Sequence, residues 1–265
     1  MANASSSIFV PELCVLIDSE RSADYQASVD LAGQLNVPCL PVAEGSNRAG
    51  LFLQFRDHHL RLGRLGGREH PISVDFVNAL MNPRRGPELL LKAVGGGQPR
   101  PSVIDATAGL GRDSAILLGA GYAVSMIEEH PVAGALLNDA LARLRAEPIC
   151  GNFAKNLNLL TGKAEHCLPE LAIQGRADVV YLDPMFAASG KSALVKKEMQ
   201  IFQSLLGHGD NGAELLTVAL SAATYRVVVK RSIKAPPLAN RQPTLSVSGK
   251  AVRFDVYALK SFKRA

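Results

Sequence analysis

The sequence predicts an α/β protein: a mostly parallel, doubly wound sheet preceded by a small N-terminal α/β extension. Three observations carry that expectation. From residue 102 onward, short apolar runs alternate with longer amphipathic stretches and are joined by links of a few residues. That is the pattern of strand–helix crossovers in a sheet covered on both faces. Gly109 and Gly111 form a Gly-x-Gly turn between the first of these strands and its helix. Glu128 and Glu129 then end the next strand. Sheets of this kind bind ligands beyond the C-terminal ends of their strands, where strand order reverses.

In chain order, "LCVLID" reads as a short buried strand, and "SADYQASVDLAGQLNV" as a helix with Tyr25, Val29, Leu31 and Leu35 near one face. "AGLFLQFRDHHLRL" alternates apolar and polar residues, predicting a strand or hairpin. "HPISVDFVNAL" adds an apolar segment, and "NPRRGPELLLKAVGG" a helix ending at its glycines. The extension is assigned to 1–78 and the larger domain to 79–265. In the latter, "SVIDATAG", "YAVSMIEE", "LNLLTGKAEH", "ADVVYLD" and "RVVVKR" are strands, with "TLSVSG" and "VRFDVYAL" a closing pair. "RDSAILLGAG", "PVAGALLNDALARLRA", "KSALVKKEMQIFQSLLG" and "ELLTVALSAA" are helices. Pro131 sits in a first turn, where its missing N–H costs nothing.

Composition narrows the class. With 47% hydrophobic and 20% charged residues the chain has globular content. Net charge is +5 with a pI near 9.1, compatible with a polyanionic partner. Cys14, Cys39, Cys150 and Cys167 show no CxxC spacing and no His at a zinc-finger offset, so no metal is expected. The N-terminal residues lack a basic and a long apolar region, and no apolar run approaches the roughly 18 residues of a membrane span. A cytoplasmic protein is expected.

The stretch D-x-x-x-G-x-G-x-D places Asp105 at a strand end, Gly109 and Gly111 in the turn, and Asp113 at the helix start, where it can cap. The third glycine of a dinucleotide fingerprint is replaced by Ser114, and Asp113 stands where a pyrophosphate would need positive charge. Glu128 and Glu129 are placed to accept hydrogen bonds from ribose hydroxyls. S-adenosylmethionine meets these constraints, having an adenosine, a cationic sulfonium and no phosphates. Glu165 and His166 would lie on the same rim, at the end of the third strand.

The fourth strand ends in "VVYLDPMF". An exocyclic amine on a nucleobase is a poor nucleophile, because its lone pair is delocalised into the ring. Asp183 and a backbone carbonyl of the Pro184–Met185 turn are placed to accept both amine hydrogens, and Phe186 to stack on the base. Lys191, Lys196 and Lys197 follow this loop; Arg84 and Arg85 precede the sheet, and Lys230 and Arg231 end another strand. Together they suggest a phosphate-binding rim.

Asp-Pro-Met-Phe resembles the Asn/Asp-Pro-Pro-Tyr/Phe motif of amino methyltransferases. More narrowly, "DATAGLGRD", "YLDPMF", "KSALVKKEM", "RVVVKR" and "RFDVY" resemble the ribosomal RNA small subunit methyltransferase J family, in order, over most of residues 72–258. The resemblance implies a class I, Rossmann-like S-adenosylmethionine-dependent fold. It implies methylation of a guanosine N2 amine in 16S ribosomal RNA, with the small ribosomal subunit or its precursor as partner and with no metal or membrane expected. It also implies cofactor contacts at Arg112, Asp113, Glu128, Glu129 and Asp183, with Glu165 and His166 as a further pair. The residues themselves leave open an adenine or DNA amino methyltransferase, and an RNA-binding protein on a retired methyltransferase fold.

Overall fold

Leu51, Leu53, Leu60 and Leu62 recur at every second position and are all buried, so the "AGLFLQFRDHHLRL" segment folds as a hairpin with one face in a core. The computed structural model describes residues 12–19, 23–45, 48–83, 88–95, 100–175, 177–184 and 212–262. Among these the chain divides into two compact units, one through Val74 and the other from Asp75 onward.

The first unit contains β1 (Leu13–Ile17), α1 (Tyr25–Leu35), β2 (Cys39–Pro41), the one-turn α2 (Val42–Gly45), β3 (Leu51–Arg56) and β4 (His59–Arg64). Its sheet runs β2-β1-β3-β4, with β1 parallel to both neighbours. The β3–β4 hairpin turns through Asp57 and His58, both at positive φ (53° and 60°). Two such residues give a turn whose twist matches that of the strands. Helix α1 stops at Asn36, which adopts the left-handed conformation that closes helices. It buries Ser28, Leu31 and Ala32, while Tyr25, Val29 and Leu35 stay half-buried.

The second unit begins with α3 (Phe76–Met81), capped by the Asp75 carboxylate accepting from the Asn78 N–H, and α4 (Glu88–Val94). There follow β5 (Val103–Asp105), α5 (Arg112–Gly119), β6 (Val124–Glu128), α6 (Pro131–Ala146), the short α7 (Gly151–Ala154) and β7 (Leu157–Thr161). Then come α8 (Ala164–Ile173), β8 (Val179–Leu182), α9 (Gly212–Ala222), β9 (Arg226–Ser232), β10 (Leu245–Ser248) and β11 (Val252–Ala258). The seven strands lie in the order β10-β11-β9-β8-β5-β6-β7. From β9 to β7 all pairs are parallel, and β11 is antiparallel to both its neighbours.

The chain proceeds outward from β5 through β6 and β7, then returns to place β8 on the other side of β5. The ends of β5 and β8 therefore flank the switch point. On one sheet face Ile104, Val180, Leu182, Val227 and Val229 join Leu168 and Leu171 of α8 and Leu215, Leu216 and Ala219 of α9 in a single buried cluster. Asp105 and Tyr181 alternate onto the opposite face.

The expected strand "LNLLTGKAEH" is shorter than predicted. It ends at Thr161; Gly162 turns the chain at φ 149°, and "AEHCLPELAI" becomes α8 because Ala164, Leu168 and Leu171 share a buried face. The expected helix 191–207 lies outside the described residues. No helix among the described residues is long and apolar enough to cross a membrane.

Candidate active site

Three strand ends converge at the switch point. At the first, the Asp105 carboxylate is buried beneath the glycine turn, where it accepts from Ser114 Oγ at 2.6 Å and from the Thr107 N–H at 3.2 Å. Burial pushes its pKa up to about 7, against the pull of those two bonds; the nearby Asp113 carboxylate adds to the rise. Gly109 and Gly111 both have positive φ (56° and 66°). A Cβ on Gly111 would meet the Phe76 ring at 2.8 Å and Leu137 at 3.0 Å, so this turn packs against side chains with no space for another.

At the second, Glu128 is buried and grips the same turn. Its Oε2 accepts the Gly109 N–H and its Oε1 the His130 N–H, both at 2.7 Å. Burial raises its pKa, and the backbone N–H groups of His130, Gly109 and Glu129 oppose the rise. Glu129 is exposed just beyond.

At the third, Asp183 follows β8. Its backbone N–H donates to Thr107 Oγ1 at 2.6 Å, and its Oδ2 accepts from Lys230 Nζ at 2.9 Å. Lys230 Nζ also donates to Asp113 Oδ2 at 2.7 Å, and the Tyr181 hydroxyl donates to that oxygen at 2.6 Å. Burial raises the Asp183 pKa while Lys230 draws it back down. For Lys230, burial disfavours the charge, but the two carboxylates outweigh it and the pKa is raised.

Several expected roles change on this geometry. Asp113 does not cap α5: the N-cap is Gly111, and the Asp113 side chain is instead committed to Tyr181 and Lys230. Lys230, expected on a phosphate-binding rim, is held between two carboxylates, because β9 lies directly beside β8. Arg231 is half-buried and donates through Nε and Nη2 to the Pro236 carbonyl. Glu165 and His166 lie in the first turn of α8, the former half-buried and the latter exposed. That turn stays near the second strand end, since the Gly162 N–H donates to the Glu128 carbonyl at 2.9 Å. Arg112 is exposed at the start of α5, and Pro184 is half-buried. Met185, Phe186, Lys191, Lys196, Lys197, Arg84 and Arg85 lie outside the described residues.

Thr107 and Tyr181, and the bond from Ser114 to Asp105, entered through structure alone. A signal for the first two does exist: Tyr181 precedes Asp183 by two residues on the same strand face, and Thr107 follows Asp105 by two.

Comparison with known proteins fits this arrangement. The family model described as "Putative SAM-dependent methyltransferase" matches residues 40–259. A protein of Thioalkalivibrio sulfidiphilus named ribosomal RNA small subunit methyltransferase J is 42% identical over 234 residues, covering 86% of this chain and 91% of the relative. A relative of the same name from Pseudomonas paraeruginosa is 41% identical over 235 residues, covering 85% and 88%. Among solved structures, a SAM-dependent methyltransferase from Neisseria gonorrhoeae superposes with a TM-score of 0.70 at 34% identity, covering 93% of this chain and 95% of that one. With that identity sustained over most of both chains, and with the strand order of the fold in place, this chain belongs to the ribosomal RNA small subunit methyltransferase J family of SAM-dependent methyltransferases.

Proposed function

We propose that this protein transfers a methyl group to the exocyclic N2 amine of a guanosine in 16S ribosomal RNA, within a small ribosomal subunit or its precursor. The relatives' names support the RNA class. The observation that carries the chemistry is Asp183: its carboxylate is held at the switch point by Lys230, and its backbone by Thr107.

The donor set suits S-adenosylmethionine. Asp105, Asp113, Glu128, Glu129 and Asp183 make the strand ends acidic, which fits ribose hydroxyls and a positive centre; a diphosphate would meet carboxylates. The Glu128 carboxylate has about four acceptor sites, so beyond the Gly109 and His130 N–H groups it retains capacity for a ribose hydroxyl. Gly109, Gly111, Arg112, Asp113, Glu129, Glu165 and His166 complete the proposed cofactor site, with Asp105 beneath it. Held there, S-adenosylmethionine would supply an electrophilic methyl on sulfur, the nitrogen–carbon bond forming as the sulfur–carbon bond broke and one amine proton passing to solvent.

The chain's own residues then orient the nucleophile. Asp183 accepts one amine hydrogen, and a backbone carbonyl of the Asp-Pro-Met-Phe segment accepts the other, drawing electron density onto nitrogen. Phe186 stacks on the base, a contact worth about 1–3 kcal/mol. Most of the acceleration comes from proximity and orientation, and the base must be unpaired to enter. Arg84, Arg85, Lys191, Lys196, Lys197 and Arg231 are the proposed phosphate contacts. Residues from Asp75 onward carry the chemistry and those before it form an extension. A cytoplasmic location follows from the substrate.

The test uses methyl-labelled cofactor with unmethylated small subunits and, separately, naked 16S ribosomal RNA, followed by digestion to nucleosides. Label in N2-methylguanosine is expected. Label confined to N6-methyladenosine, or absent from both substrates, would overturn the proposal.

A further inference from the structure

Lys230 follows three consecutive buried valines, Val227, Val228 and Val229. A charge in such a position calls for an account, since it loses hydration there. Its ammonium links two carboxylates that are far apart in sequence, Asp113 Oδ2 at the start of α5 and Asp183 Oδ2 after β8. The Asp113 end is anchored a second time by the Tyr181 hydroxyl. Oδ1 of Asp183 receives no donor from any described residue.

We propose that Lys230 is a positioning residue for methyl transfer: braced on Asp113, it holds the Asp183 carboxylate ionised through Oδ2 and leaves Oδ1 as the acceptor for the amine. This rests on the reading of Asp183 as the amine-binding group.

The surrounding charges explain why a cation is needed. Lys230 and Arg231 face Asp183 from β9, Asp113 from α5, Asp105 from β5, and Tyr181 from its own strand. Burial above all, and the Asp113 carboxylate after it, drive a proton onto Asp183. A protonated Asp183 would present a hydroxyl to an amine that is itself a donor. The ammonium opposes this at 2.9 Å. Removing the lysine alone leaves Asp113 and Asp183 without their cation, which destabilises the fold whatever the lysine's role, so the test reads the titration of Asp183 and the rate, not stability.

The test compares wild type, Lys230→Met and Lys230→Arg by two readouts. One is the pH dependence of kcat and KM on the ribosomal RNA substrate. The other is a carbon-13 NMR titration of aspartate carboxylates in the ligand-free protein, with Asp183→Asn identifying the signal. Lys230→Met is expected to lower kcat at pH 7 by roughly 100-fold, with KM for RNA within about threefold. The acidic limb of its profile and the Asp183 signal should both move to higher pH. Lys230→Arg keeps the charge, so its limb and its Asp183 signal should stay near wild type while kcat falls about tenfold through altered geometry. An Asp183 titration unmoved in Lys230→Met would overturn the proposal. Should that variant fail to fold, a limb displaced upward in Lys230→Arg would overturn it too. Absence of N2-methylguanosine from the wild-type reaction is a separate failure, that of the functional reading, and leaves the ligand-free titration to decide whether Lys230 controls Asp183.

Discussion

Glu128 accepts the backbone N–H of Gly109 at 2.7 Å, so the end of β6 fixes the glycine turn that follows β5. Its second oxygen fixes the His130 N–H at the same distance. A carboxylate placed by its spacing for ribose hydroxyls is thus also a bracket for the loop. Glu128→Ala should leave two N–H groups without their acceptor, at about 1–3 kcal/mol for each that stays dry. The expected outcome is a lower denaturation midpoint for the ligand-free protein together with weaker cofactor binding by calorimetry. Weaker binding at unchanged stability would assign Glu128 to the ligand alone.

Gly111 combines two constraints, a left-handed backbone and a crowded Cβ position. Its φ of 66° disfavours any Cβ, and that Cβ would lie 2.8 Å from the Phe76 ring and 3.0 Å from Leu137. Gly121 also has positive φ (86°) but nothing within 4 Å of its Cβ position. Gly121→Ala should therefore cost only the left-handed backbone term, about 1–2 kcal/mol. Gly111→Ala should add overpacking of about 1–3 kcal/mol. Parallel urea titrations check the ordering; equal losses would mean that Phe76 moves aside freely.

The parallel core was legible because strands buried on both faces read as unbroken apolar runs, such as the valines of β8 and β9. The turn and its acidic neighbours were legible because Gly109, Gly111 and Glu128 stand at spacings that a ligand-binding strand end requires. The β7–α8 junction was not, since "TGKAEH" has no strong cap or proline, and only the burial of Ala164, Leu168 and Leu171 decides for helix. Nor was the role of Lys230. A lysine at a strand end reads as solvated, and its two partners lie 117 and 47 positions away. Pairing of that kind depends on which strands become neighbours, which local pattern does not encode.

Asp105 gives stability a pH dependence of definite sign. Its carboxyl titrates near 3.8 when unconstrained and at about 7 in the fold, mainly through burial. Between these values the folded chain retains a proton that the unfolded chain has released. This contribution is fully present below pH 4 and is lost as pH rises through about 7, with a slope approaching about 1.4 kcal/mol per pH unit. Asp105→Asn removes the titration and keeps an acceptor for the Thr107 N–H. Guanidinium midpoints from pH 4.5 to 8 should converge at the acid end and favour the variant at the alkaline end. Parallel curves across that range would show that Asp105 does not titrate in it.

Asp183 distinguishes an oxygen acceptor from a mere polar group. Asp183→Ala removes the acceptor but leaves Lys230 on Asp113, so kcat should fall by roughly 10²–10³-fold while cofactor affinity changes little. In Asp183→Asn the side chain has one oxygen and one NH2. Lys230 needs the oxygen, because an ammonium has only donors. The amide would therefore turn its NH2 toward the position of the amine, setting donor against donor. Asp183→Asn should consequently be nearly as slow as Asp183→Ala, although Asn is the smaller chemical change. Combining it with Lys230→Met frees the amide to turn round, and the double variant should be faster than Asp183→Asn alone. Steady-state rates for the four proteins at one pH measure this coupling, and a double variant slower than both single ones would show that Lys230 does not dictate which atom meets the amine.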